Sequence, residues 1–245
     1  MKKLIVAAVL IVFQVAAFAQ DSTESSKARK TDWSKVSLAG RSNDHFMLQF
    51  GTAGWSGAPD SLNISGFSKN FNMYFMFDFP FKTDPRFSVG IGVGFSSESI
   101  SFKDTYIGIK DQTATLRFQD VSDTNHFNKY RLNTTFLEAP VELRFTLDPT
   151  NKKSFKAAIG LKVGTLLDAH TKGKDFVNKS GQSLNDYTEK IKKKDYFNKN
   201  RLAAVARIGK GVWGLYGSYQ FGPLIKEGLG PQVRSWAVGL TLSGL

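Results

Sequence analysis

Between Phe87 and Ser96 large apolar residues and small ones alternate without exception. Phe87, Val89, Ile91, Val93 and Phe95 make one series, and Ser88, Gly90, Gly92, Gly94 and Ser96 the other. A period of two with such unlike faces predicts a β-strand between two different environments, because a helix would mix both series on every face. In a soluble sheet, three glycines on one face would weaken the strand without return. Inside a narrow barrel they leave room for large side chains, expected from the opposite wall.

The same alternation recurs in His45 to Thr52, Asn70 to Pro80, Leu137 to Leu147, Phe155 to Asp168, Arg201 to Gly209, Trp213 to Phe221 and Arg234 to Ser243. These segments predict an all-β chain folded as an eight-stranded antiparallel transmembrane β-barrel, the smallest common size. Ser99 to Gln119 also has strand character, with Phe102, Tyr106, Ile107, Ile109, Leu116 and Phe118. It is expected to prolong the third and fourth strands as a hairpin above the membrane. If it joined the wall, the count would rise to ten.

The connections alternate in length. Phe81 to Arg86, Asp148 to Lys153 and Lys210 to Val212 are short, while Trp55 to Lys69, Ser97 to Asn133 and Ala169 to Asn200 are long. Tight periplasmic turns and long external loops have this distribution, so the first strand is expected to run outward. Phe46, Phe79, Phe87, Phe145, Phe155 and Trp213 then fall near periplasmic strand ends, and Phe71, Phe95, Phe221 and Trp236 near external ends. Two aromatic girdles of this kind mark the interfaces of a membrane barrel. Parity alone leaves open which face points inward. The girdles, the glycines and the charges on the other face favour a polar interior.

The N-terminus adds export. Lys2 and Lys3 precede an apolar run from Leu4 to Phe18, and Ala17-Phe18-Ala19 fits a signal-peptidase site with Gln20 as the mature N-terminus. The order of charge, apolar run and small residues predicts a cleaved signal peptide over residues 1–19. The run is shorter than the roughly 20 residues a spanning helix needs. Residues 20–44 are polar and charged and are expected to form a periplasmic lead, with the barrel domain at 45–245.

The chain has no cysteine, so disulfides do not staple it. Its formal charge is +12. For an exported chain this basic excess points to outer-membrane lipid and lipopolysaccharide phosphates, and away from nucleic acid. The segment from Thr171 to Arg201 concentrates lysines (Lys172, Lys174, Lys179, Lys190, Lys192, Lys193, Lys194 and Lys199) and is expected to be a solvated loop.

On the inward face the alternation collects Asp78, Glu138, Glu142, Arg144, Lys156, Lys162 and Arg207. Both signs are present, so an ion-pair network filling a narrow lumen is the expected role, with an ion path as the alternative. His45, His126 and His170 are scattered without ligand spacing, so neither metal nor cofactor is expected. Asp168-Ala169-His170 at the external rim is the one candidate for a hydrolytic centre.

Phe136 to Phe145 reads Phe-Leu-Glu-Ala-Pro-Val-Glu-Leu-Arg-Phe and is followed by the Gly-containing strand Phe155 to Gly164. In this it resembles the PorT-like outer-membrane β-barrel family of Bacteroidetes, whose mid-chain strand carries an aromatic-Leu-Glu-x-Pro-hydrophobic run. The resemblance spans the mature chain in length and strand order. It implies an eight-stranded barrel in the cell outer membrane, usually of unassigned role, with the founding member linked to type IX secretion and gliding. Taken with the residues above, the expected function is a non-enzymatic, monomeric barrel whose long external loops bind or support an envelope or secretion assembly. One departure is the C-terminus, Ser243-Gly244-Leu245, where many outer-membrane barrels end in an aromatic residue. A narrow pore and a rim hydrolase stand as the alternative functions.

Overall fold

The computed structural model describes residues 45–60, 62–64 and 67–244. The signal-peptide site at Ala17, Ala19 and Gln20 and the polar lead lie outside the described residues. Eleven strands follow one another: β1 (Phe46–Ser56), β2 (Lys69–Pro80), β3 (Phe87–Phe102), β4 (Thr105–Ile107), β5 (Phe118–Asp120), β6 (His126–Thr146), β7 (Phe155–Val177), β8 (Ser183–Lys192), β9 (Asn200–Lys210), β10 (Trp213–Gln220) and β11 (Arg234–Ser243). Among the described residues there is no helix.

Eight strands close into a ring in the order β1-β2-β3-β6-β7-β9-β10-β11, all neighbours antiparallel, and β11 returns to β1 from Met47↔Ser243 to Ser56↔Arg234. Closure leaves the wall no free edge, the condition for a sheet to survive in hydrocarbon. Its eight strands match the eight alternating segments. The outward series is apolar and exposed, Ile159, Val163 and Phe77 each being more than half accessible. A continuous apolar band of this size on a closed sheet is a surface made for lipid.

The short turns are built locally. Asp84 accepts from the backbone N–H of Arg86 at 3.0 Å and from its guanidinium Nη2 at 2.6 Å, and this Arg86 pairing holds its carboxyl below the usual carboxylate range. Gly211 and Val212 form the two-residue loop between the paired Lys210 and Trp213. Gly211 there has φ +65°, the positive value that a type II′ hairpin needs at its first position.

The long strands overshoot the membrane. A spanning strand needs about 9–11 residues, yet β3 has 16, β6 has 21 and β7 has 23. The excess lies at the end opposite the short turns. The expected hairpin of strands three and four is therefore real only as far as Phe102 on β3 and from Tyr130 on β6. Residues 105–120 leave the wall and fold into the separate β4–β5 pair. The ten-strand alternative is excluded, since β4 and β5 pair only with each other. The lysine-rich segment is corrected too: instead of one solvated loop, β8 pairs with the upper part of β7 from His170↔Lys192 to Val177↔Ser183.

A β-bulge marks where the extension begins. Phe136 pairs with Leu166 and Thr135 with Asp168, leaving Leu167 unpaired. The extra residue shifts parity, so that Leu166 and Ala169 both turn inward and are buried.

Candidate functional site

The interior begins with two glutamates. Glu138 stands opposite Gly94 on one side and Gly164 on the other, and Glu142 stands between Gly90 and Gly160. A Cβ at Gly160 would come within 2.2 Å of the Val141 carbonyl oxygen and 2.8 Å of the Glu142 Cα. At Gly90 it would strike the Arg144 side chain at 2.4 Å, and at Gly94 the Tyr74 ring at 2.7 Å. The room these glycines provide is thus taken by residues of adjacent strands, not by the opposite wall.

Around each glutamate the cations gather. Glu142 accepts from Arg207 Nη2 at 2.6 Å and from Arg144 Nε at 3.1 Å. Arg144 Nη1 also reaches Asp78 at 3.5 Å, and Asp78 accepts from the Ser88 hydroxyl at 2.7 Å. Higher in the lumen, Glu138 accepts from the Tyr74 hydroxyl at 2.6 Å and pairs with Lys162 and Arg201, each at 3.2 Å. Arg201 bridges onward to Glu98, which also accepts from Ser235. Its guanidinium lies over the Phe136 ring, 4.9 Å from the centroid. Buried charges are tolerated only when paired, and the network interleaves Arg144, Arg201, Arg207 and Lys162 with Asp78, Glu98, Glu138 and Glu142.

Two members of this set, Glu98 and Arg201, were not singled out in the sequence. Glu98 fell in a segment assigned to a loop, although the alternation of Phe87 to Ser96, continued by two residues, puts it on the inward face. Arg201 shares the parity of Arg207. Lys156 is placed differently from the others. It is half-buried and lines a small vestibule of about 40 Å³ at the short-turn end, together with Asp78, Arg144 and Arg207.

Above the charges the interior turns apolar, which the expectation of a uniformly polar lumen missed. Ile107, Ile109 and Leu116 come from the β3–β6 connection, Tyr196 and Phe197 from the β8–β9 connection, and Leu224, Ile225 and Val233 from the β10–β11 connection. All are buried against inward residues of the wall, among them Trp55, Phe102, Leu132 and Ala237. Hydrogen bonds knit the three loops. Tyr196 donates to the carbonyls of Asp111 (2.6 Å) and Thr113 (2.8 Å), the Leu116 N–H donates to Leu229 (2.7 Å), and Asn198 donates to Pro223 (2.8 Å). Three connections therefore fold inward as one lid.

The histidines serve separate local contacts. His45 Nδ1 lies 3.2 Å from the Met76 carbonyl, and His126 Nε2 lies 3.2 Å from Asp104. His170 Nδ1 sits 2.6 Å from Asp168 on the outward side of β7 just above the bulge, with Lys192 at 3.9 Å from the same carboxylate. Burial lowers the His170 pKa and Lys190 and Lys192 push the same way, against Asp168.

The aromatic residues expected in the two girdles lie on the outward face. Phe71, Phe79, Phe87, Phe95, Phe155, Phe221 and Trp213 are exposed, while Phe46, Phe145 and Trp236 are half-buried against neighbours. Phe87 meets Phe145 at 5.2 Å between centroids, and Phe46 meets Phe75 at 5.3 Å.

A closed antiparallel ring, an apolar outer band, a paired-charge interior and short turns at one end together define an outer-membrane β-barrel protein. The chain belongs to the outer membrane protein beta-barrel domain family, whose model matches residues 18–226, and its place is the outer membrane. Among solved structures it is similar to Ail, the attachment invasion locus protein of Yersinia pestis. One Ail structure, in complex with the heparin analogue sucrose octasulfate, shares 12% identity at a TM-score of 0.34. Another, without the analogue in its description, shares 11% at 0.33, and each comparison covers 81% of this chain and 95% of that one. No curated protein sequence matches the chain.

Proposed function

We propose that this is a non-enzymatic, monomeric, sealed barrel of the PorT-like kind, whose external hairpins bind a partner in envelope or secretion assembly, type IX secretion included. The observation that carries the reading is the lumen. Paired charges fill its middle, and three loops close its external mouth with an apolar lid, so the wall serves as an anchor more than a conduit. The Phe136 to Phe145 run supports the PorT-like kinship. What remains for function is the external platform, the overshoot of β3, β6 and β7 together with β8. Its exposed Lys172, Lys174, Lys179, Lys190 and Lys192 favour contact with lipopolysaccharide phosphates around the barrel.

The test is cross-linking in native outer membranes followed by identification of what is attached. A defined envelope or secretion protein should be captured by the wild type and lost when residues 178–190 are replaced by a tight turn. Capture unchanged by that replacement, or no partner at all, would overturn the reading. Planar-bilayer recording is the control for a pore: discrete conductance steps from the wild type would replace the anchor with a channel.

A further inference from the structure

Above the bulge the prolonged strands enclose a second cavity that no ion pair fills. Its volume is about 260 Å³, and its lining includes Tyr106, Phe127, Tyr130, Phe176, Tyr187 and Glu189. Phe127 is the hub. It stacks on Tyr130 at 15° and 6.2 Å, and meets Phe176 and Tyr187 at 64° and 69°, 5.2 and 5.4 Å away. Rings set at such different angles present several π faces and edges to one space. The cavity joins three elements distant in sequence: β4, the start of β6, and the β7–β8 hairpin.

The charges around it are mostly accounted for. His126 pairs with Asp104 at 3.2 Å, and Lys129 and Lys174 pair with Asp175 at 3.4 and 3.5 Å. Glu189 is the exception. It is half-buried on the same side of β8 as Tyr187, while Lys190 and Lys192 alternate to the other side. Its carboxylate makes no ion pair or hydrogen bond among the described residues. Burial first, with Glu189 a lesser cause, holds the phenols of Tyr106 and Tyr130 above their ordinary value, so both stay neutral. The space, which His126 also lines, therefore offers negative ring faces, neutral hydroxyls and one unspent anion, with no lysine or arginine among its lining residues.

We propose that this external cavity binds an organic cation of the quaternary or alkylated ammonium class, held by π faces of Tyr187 and its neighbours and by the Glu189 carboxylate. A cation over an aromatic face is attracted by the ring quadrupole, most strongly when both are desolvated. The size fits: the cavity is below the roughly 300–1,000 Å³ of sites for drug-sized molecules, so it suits a head group and excludes an oligosaccharide. The inference rests on the platform being a binding surface, and it names the chemistry of one site on it.

The experiment uses full-length protein in a detergent with uncharged, choline-free head groups. Choline is titrated against its neutral isostere 3,3-dimethylbutan-1-ol and followed by calorimetry and by the ligand methyl resonance. Choline should bind saturably in the millimolar range, and the isostere about tenfold more weakly, a difference of about 1.4 kcal/mol. Glu189→Gln should weaken choline about tenfold and leave the isostere unchanged; Tyr187→Ala should weaken both. Both positions are on the surface hairpin, and retention of the fast-migrating folded band on unheated gels confirms that the variants are folded. Equal binding of the two ligands, no effect of Glu189→Gln, tighter binding of methyl glucoside than of choline, or no saturable choline binding by folded wild type would each overturn the proposal. Partner capture that persists without choline binding would remove this inference alone and leave the platform reading standing.

Discussion

Glu138 and Glu142 show how a narrow lumen makes space for charge. Each needs two or more donors within about 3 Å, and those donors sit on long side chains that must fold over the neighbouring strand. Glycine at the flanking positions removes the Cβ that would block them. Two outcomes follow. Glu142→Gln leaves Arg144 and Arg207 without their shared carboxylate, and removal of one partner from a buried pair costs about 3–5 kcal/mol. Urea unfolding read from heat-modifiable gel mobility should register this as a large drop in midpoint; an unchanged midpoint would mean that water screens the pair. Gly160→Val should be worse, because its side chain meets Val141 and Glu142 backbone atoms that cannot move without breaking the β6–β7 ladder.

The strands act as two structures joined end to end. Below the bulge they are membrane wall, and above it they are an extension packed on the lid, in which β8 takes over from β9 as the partner of β7. The upper part exposes its tip: Lys179, Ser180 and Gly181 are fully on the surface, with Gly181 at φ +80°. Trypsin added to intact cells should therefore cut at Lys179 and leave Lys82 and Lys153, in the periplasmic turns, untouched. Peptide mapping decides it, and the reverse pattern would invert the topology. The same upper region carries His170. With its folded pKa depressed by burial, the unfolded chain binds the proton more readily, so stability rises with pH and is lost as pH falls through the ordinary imidazole range near 6.5. A nuclear magnetic resonance titration should give His170 a midpoint below that of free histidine. A midpoint above it would mean that Asp168 outweighs burial and the lysines.

At the scale of the molecule, the barrel is an amphipathic object turned inside out, with apolar residues facing outward and charges within. The ring has no edge to fray and its loops are folded into the mouth, so the unheated protein should run faster on gels than the boiled one. Insertion into planar bilayers should leave conductance at baseline. Deleting the lid loop at 107–116 should not open a wide channel, because the charge network lies below it and still spans the bore.

Sequence parity was enough to place the eight wall strands, since alternation over eight or more residues has one explanation in a closed sheet. It also placed Asp78, Glu138, Glu142, Arg144, Lys162 and Arg207 on one shared face, which barrel closure turns inward. The periodicity could not say which residues meet. Arg201 reaches Glu98 across 103 positions of chain, and Tyr216 reaches Asn70 across 146, and only barrel closure brings these together. The lid was hidden for a related reason. Ile107, Ile109 and Leu116 are as apolar as any wall residue, but they lack a period, because irregular backbone points each side chain by its own turn. The ring cavity at Phe127 depends on the bulge beside Leu167, a single unpaired residue that changes which side of β7 faces inward. Local alternation thus determined the wall strands and which residues share a face; long-range packing alone decided the ion pairs, the lid and the external pocket.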